Sequence, residues 1–240
     1  MTIETTYKKN MKLAELIAAD NSLLSILQRL NIRLGFGEAT VEDICTRYNI
    51  STGLFLEICN IYSFRHYQPH IEALTESDVA SITTYLRTSH KFYSEVCFPA
   101  IHNSIHSLVK ELDDVNRRLI DKFYDDYDNE VTNHFKYEEE VVFPYIEAMQ
   151  AGDSSGDEAY HISKFEDNHS NISEKLNDLK NIIIKYLPEE HSSALRFNLL
   201  NDIYAVESDL RKHSHIENKL LIPLVEIMDP HILAALDLLK

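Results

Sequence analysis

Two stretches of this chain repeat one pattern. HFKYEEEVVFP, from His134 to Pro144, and HSHIENKLLIP, from His213 to Pro223, each run histidine, glutamate four residues on, and proline six after that. An α-helix turns once in about 3.6 residues, so each histidine shares a face with its glutamate, which sits about 6 Å further along the axis. The stretches are offset by 79 residues, and the same offset carries His90 to His169. Four histidines therefore stand in register, and two of them bring a glutamate.

The register is a geometric constraint on the fold. Two residues of an antiparallel helical hairpin lie level when the turn falls midway between them. The midpoint of His90 and His134 is residue 112, inside ELDDV. That of His134 and His169 falls at Ala151 and Gly152, in the loop text QAGDSSGDE, and that of His169 and His213 is His191, in LPEEHSS. These three places are also the breaks in an otherwise helical text from Thr75 onward. The spacing predicts an all-α fold with an up-down-up-down bundle of four helices, each roughly 30 to 37 residues long. Apolar residues recur at three and four in ISEKLNDLKNIIIKYL and LLNDIYAVESDL, as core-facing helices require.

Ahead of Thr75 the elements are shorter. LAELIAADNSLLSILQRL reads as two short helices broken near Asp20 or Asn21, and RLGFGE as a turn. Thr40, with Asp43 three residues later, reads as a capping box, and Ser51 as the cap of a helix through LFLEICNIY. RHYQPH reads as a linker, because Pro69 pushes its predecessor out of helical geometry. The expected organisation is a small helical domain at 1–64, a linker at 65–74 and the bundle at 75–240.

Composition narrows the function classes. A net charge of −16 disfavours nucleic acid, whose phosphates reward clustered Lys and Arg. No apolar run approaches the roughly 18 residues of a membrane span. The three cysteines, Cys45, Cys59 and Cys97, are odd in number and widely spaced, and MTIETTYKKN lacks the apolar core of a signal peptide. Both features suit a cytoplasmic protein with reduced thiols.

Six candidate ligands converge in such a bundle: His90, His134, Glu138, His169, His213 and Glu217. Four imidazoles and two carboxylates suit two metal ions, with the carboxylates shared. Mixed nitrogen and oxygen ligation without thiolate is compatible with iron, manganese or zinc. Pro144 and Pro223 are expected to kink or end their helices and to shape packing rather than chemistry. His215, two residues past His213, should point away to solvent. His66, His70, His102, His106, His161, His191 and His231 fall outside the register and read as surface or packing residues.

HFKYEEEVVFP and HSHIENKLLIP resemble the HxxxE signatures of the hemerythrin-like HHE cation-binding domains. The full set of six resembles the non-haem di-iron site of the iron–sulfur cluster repair family, also called repair of iron centres. That resemblance covers nearly the whole chain and implies two iron ions, with His90, His134, His169 and His213 terminal and Glu138 and Glu217 bridging. The region from about 9 to 63 resembles the small domain that precedes the bundle in that family. There a cysteine pair usually occupies the turn after the second helix, whereas here Gly35 and Phe36 stand in that turn. Thiol chemistry of such a pair does not carry over. Asn168 also replaces the acidic residue common before the ligand at His169.

The resemblance implies a protein that repairs iron–sulfur clusters damaged by nitric oxide or oxidants, by delivering iron, by reducing nitric oxide, or both. Damaged iron–sulfur proteins and a small diatomic ligand are then the expected partners. A module that binds or senses dioxygen or nitric oxide without turnover is the alternative, and a structural or storage role for the metal is a third reading. Enzymatic turnover and homodimerisation through an exposed apolar face of the small domain are left open by the residues.

Overall fold

A computed structural model of the chain describes residues 6–152, 162, 172–189 and 193–228. His169, Asn168, His161, His191 and His231 lie outside them. Every extended element among the described residues is helical.

Four short helices come first: α1 (Leu13–Ala19), α2 (Leu23–Arg29), α3 (Val41–Tyr48) and α4 (Thr52–Ser63). The capping box at α3 forms as expected, with Thr40 Oγ1 accepting from the Asp43 N–H and Asp43 accepting from the Thr40 N–H. Ser51 caps α4 by accepting from the Leu54 N–H. RLGFGE is a turn in which Gly35 and Gly37 have φ of 93° and 62°, a region that glycine enters without a Cβ clash.

Long helical runs follow. α5 (Glu76–Phe92) leads into α6 (Phe98–Val109), α7 (Asp114–Tyr137) into α8 (Phe143–Gln150), and α10 (Ser193–Ile216) into α11 (Ile222–Met228); α9 (Ile172–Asn181) precedes α10. The breaks at ELDDV and at Ala151–Gly152 fall where the sequence sets them. Asp113 caps α7 by accepting from the Val115 and Asn116 N–H groups, and Gly152 turns the chain after α8 with φ of 70°.

Each run contains one π turn: Tyr93–Cys97, Glu138–Val142, Ile182–Tyr186 and Glu217–Leu221. In three of them the residue after the turn donates its N–H five residues back, from Phe98 to Tyr93, Phe143 to Glu138 and Ile222 to Glu217. The next residue is proline each time: Pro99, Pro144 and Pro223. Of the two outcomes expected of Pro144 and Pro223, a kink or an end, neither helix ends: each runs on through a local π distortion. A prolyl ring clashes with the carbonyl four residues back, and a turn widened by one residue relieves that clash.

Contacts divide the chain into two compact units. One comprises Met1–Thr88, Glu147–Ser163 and Ser214–Lys240; the other comprises Ser89–Ile146 and Lys164–His213. The first unit buries Leu13, Leu23, Ile26, Ile44, Phe55 and Ile58. In the second unit four helical segments share one core. Ile101 and Leu108 come from α6, Tyr127 and Val131 from α7, Leu176 and Leu179 from α9, and Leu199 and Ile203 from α10. This is the bundle arrangement expected from the register. A buried ion pair, Lys180 to Glu207 at 2.5 Å, ties α9 to α10 within it.

Candidate metal centre

The positions singled out by spacing converge. His90 lies in the last turn of α5, His134 in the last turn of α7 and His213 near the end of α10. Glu138 and Glu217 open the π turns that follow His134 and His213 on the same continuous helices. Glu138 and Glu217 are both 0% exposed, and His90 and His213 are 4% and 1% exposed. Ordinary helices keep Lys and Glu at the surface, so carboxylates buried to this degree imply cationic or hydrogen-bonded company.

The distances show what that company is. Glu138 Oε2 lies 2.9 Å from His90 Nε2, and Glu138 Oε1 lies 2.8 Å from His134 Nε2. His90 Nε2 and His213 Nε2 are 3.2 Å apart. His90, Glu138, His213 and Glu217 each offer one ligand atom, and these atoms all lie within 4.8 Å of one another. A group of carboxylate oxygens and imidazole nitrogens this close, and this dry, suits a cation better than any arrangement of the same groups without one. The donor set fits a metal ion.

Neighbouring side chains fix the rings. His90 Nδ1 lies 2.9 Å from the Glu139 carboxylate, which holds the proton on Nδ1 and turns the Nε2 lone pair toward Glu138 and His213. The His90 ring stacks on Phe135 at 4.2 Å and on Phe143 at 5.7 Å between centroids. Tyr93 meets the His213 ring edge-on at 5.6 Å, and its hydroxyl donates to Asp209 at 2.7 Å. The aromatic packing keeps water from the imidazoles.

A family model described as Hemerythrin HHE cation binding domain matches residues 82–225. The chain belongs to the hemerythrin HHE family. The matched span takes in His90, His134, Glu138, His213 and Glu217, and helical bundles build metal sites from side chains on facing helices. No curated protein matches the chain at a significant level.

Of the six residues expected from sequence, five are described and stand as above, and His169 lies outside the described residues. Sequence reading missed Glu139. Its signal was present in the acidic run YEEEVV, but a carboxylate next to a ligand on a helix points some 100° away from it, and only the tertiary fold brings His90 to that side. His215 is exposed, as expected, and its pKa is lowered by partial desolvation and then by Lys219. His66, His70, His102 and His106 are also exposed. Met149 and Met228 are half-buried. No helix among the described residues is long and apolar enough to cross a membrane.

Proposed function

We propose that this hemerythrin-like protein is a cytosolic non-haem di-iron protein that restores iron–sulfur clusters damaged by nitric oxide or oxidants, by delivering iron, by reducing nitric oxide, or both. His90, His134, His169 and His213 would be terminal ligands, and Glu138 and Glu217 would be shared. The observation that carries the reading is the Glu138 carboxylate, whose two oxygens lie against two different imidazoles, those of His134 and His90. A carboxylate disposed in this way can serve two cations, one through each oxygen. When bound, two ferrous ions would supply open coordination positions for a small diatomic ligand and electrons for its reduction.

The chain's own residues have definite tasks in this reading. Glu139 orients His90, and Phe135, Phe143 and Tyr93 shield the rings from solvent. The resemblance of the full set to the cluster repair family supports the choice of damaged iron–sulfur proteins as partners. Gly35 and Phe36 in place of a cysteine pair imply that reducing equivalents come from an external reductant.

Two assays test the proposal. A nitrosylated or oxidised iron–sulfur enzyme is incubated with the iron-loaded protein, and its recovery is compared with that given by free ferrous iron. Headspace nitrous oxide is then measured after nitric oxide is added to the reduced, iron-loaded protein. Recovery above free iron, or nitrous oxide release, is expected, and either should vanish with the metal in a Glu138→Ala, Glu217→Ala double variant. Recovery no better than free iron, with no nitrous oxide, would overturn the repair and reduction readings together and leave a gas-binding module.

A further inference from the structure

Shielding the imidazoles takes only an apolar ring, and Phe135 and Phe143 stack on His90 with nothing more. Tyr93 brings a hydroxyl as well, although the residue is 0% exposed. Burying a phenol costs free energy unless its hydroxyl finds a partner. The partner is Asp209, whose Oδ2 accepts from the hydroxyl at 2.7 Å.

The two ends of this bond stand beside two of the ligands. Tyr93 follows His90 by three residues on one continuous helical run, and Asp209 precedes His213 by four residues on α10. Each is therefore about one helical turn from its ligand. The bond joins the helix of one ligand to the helix of the other, across 116 positions of sequence. Between the two side chains the Tyr93 ring acts as a wedge. It stacks on Phe135 at 5.8 Å, Phe135 stacks on the His90 ring at 4.2 Å, and Tyr93 meets the His213 ring edge-on at 5.6 Å. With its hydroxyl held, the wedge keeps one place, and so does the gap beside it. That gap is 3.2 Å between His90 Nε2 and His213 Nε2. Two nitrogens bound at about 2.0–2.1 Å to one ion, roughly at a right angle, stand about 3 Å apart, so the spacing suits a shared cation.

We propose that Tyr93 and Asp209 are positioning residues of the metal centre: their hydrogen bond braces the helices of His90 and His213, fixes the spacing of these two imidazoles, and thereby sets the affinity for the ion. The inference rests on the centre taking up metal and not on what the loaded protein then does. The probe is cobalt(II) in the full-length chain, with chelator competition giving its dissociation constant and visible absorption reporting its ligand geometry. Tyr93→Phe keeps the ring and removes the bond. It should weaken cobalt binding at least about tenfold, as loss of residues that orient metal ligands does, and shift the visible bands. Asp209→Ala should do the same, and the double variant should be no worse than either alone, because both delete one interaction. Asp209→Asn keeps an acceptor oxygen and should retain affinity and spectrum. Tyr124→Phe is the control: it deletes another buried phenol bond of the bundle, to the Phe98 carbonyl at 2.9 Å, and should leave both readings unchanged. A Tyr93→Phe protein that unfolds at lower urea yet keeps the original affinity and spectrum would make the bond an ordinary helix staple and overturn the proposal. An Asp209→Asn protein as weak as Asp209→Ala would assign the effect to charge and also overturn it. An unaltered chain that takes up no cobalt would overturn the centre and the brace together, whereas normal uptake with no effect of Tyr93→Phe would overturn the brace alone.

Discussion

Glu138→Gln should stabilise the metal-free protein and weaken the stabilisation that metal brings, an inversion expected of a ligand carboxylate and of no ordinary buried glutamate. The side chain is fully buried, with its oxygens 2.8 and 2.9 Å from the Nε2 atoms of His134 and His90. A metal-free site keeps the Glu138 and Glu217 carboxyl groups wholly out of water. The effective penalty for burying a charge is several kcal/mol, and a neutral group of the same shape is spared most of it. Glutamine keeps the shape and one acceptor oxygen, so a gain of about 1–3 kcal/mol is expected without metal. In a chain of this size each kcal/mol moves Tm by about 2–4 °C. Metal at 1,000 times its dissociation constant stabilises a protein by about 4.1 kcal/mol. A ligand loss that weakens binding about tenfold to a hundredfold removes about 1.4–2.7 kcal/mol of this. Urea unfolding under anaerobic conditions, with chelator and with excess ferrous iron, reads both numbers. A variant that loses stability without metal yet keeps the full metal-induced gain would refute the reasoning and make Glu138 a structural acceptor for the imidazoles.

Other expectations follow from single features. His215→Ala should leave metal content and Tm within experimental error, since the ring is exposed and faces away from the cluster; a loss of metal would mean that the ligand set is misassigned. Burial pushes the Cys45 thiol up to about 11 and holds the Cys59 thiol well above its ordinary value, so at pH 8 a disulfide reagent should titrate at most one thiol quickly, Cys97, and three fast thiols would contradict the packing. Limited proteolysis should cut within residues 64–74, the proposed linker, and release a fragment of about residues 75–240 that keeps its metal; loss of metal on cleavage would show that the small domain completes the centre. Glu207→Gln should cost about 3–5 kcal/mol, because it leaves the buried Lys180 ammonium without its carboxylate, and an unchanged urea midpoint would argue that water reaches the pair.

The bundle and most of the centre were legible because helical geometry converts spacing directly into position. His90 and His213 sit within one cluster with Glu138 and Glu217, and His134 reaches it through Glu138, four residues on along the same helix. Caps were equally local: Thr40 with Asp43 and Ser51 with Leu54 formed as written. What stayed hidden depends on how separate helices face each other. Glu139 contacts His90 across 49 positions, and nothing in YEEEVV distinguishes an orienting carboxylate from a solvated one. The Tyr93–Asp209 bond joins residues 116 positions apart, so a sequence pass sees only a tyrosine and an aspartate on separate helices.

The prolines show how a local rule fixes the place of a distortion without fixing its form. Proline in a helix removes an N–H and crowds the carbonyl four residues back, which argues for a kink or a break. Here the chain slips its hydrogen-bond register by one residue just before each proline, and the helices run on as α6, α8 and α11. A π turn leaves no mark in composition, because the slip changes which carbonyl is used and not which residues are apolar. In two helices the turn begins on the buried glutamate, which invites the idea that proline exists to aim the ligand. The third helix argues against that. Tyr93–Cys97 is followed by Pro99 in the same way, yet the residue four after His90 is Ser94, which offers no carboxylate. The π turn and its proline therefore belong to the packing of these helices around the centre, and Glu138 and Glu217 occupy positions that this packing had already turned inward.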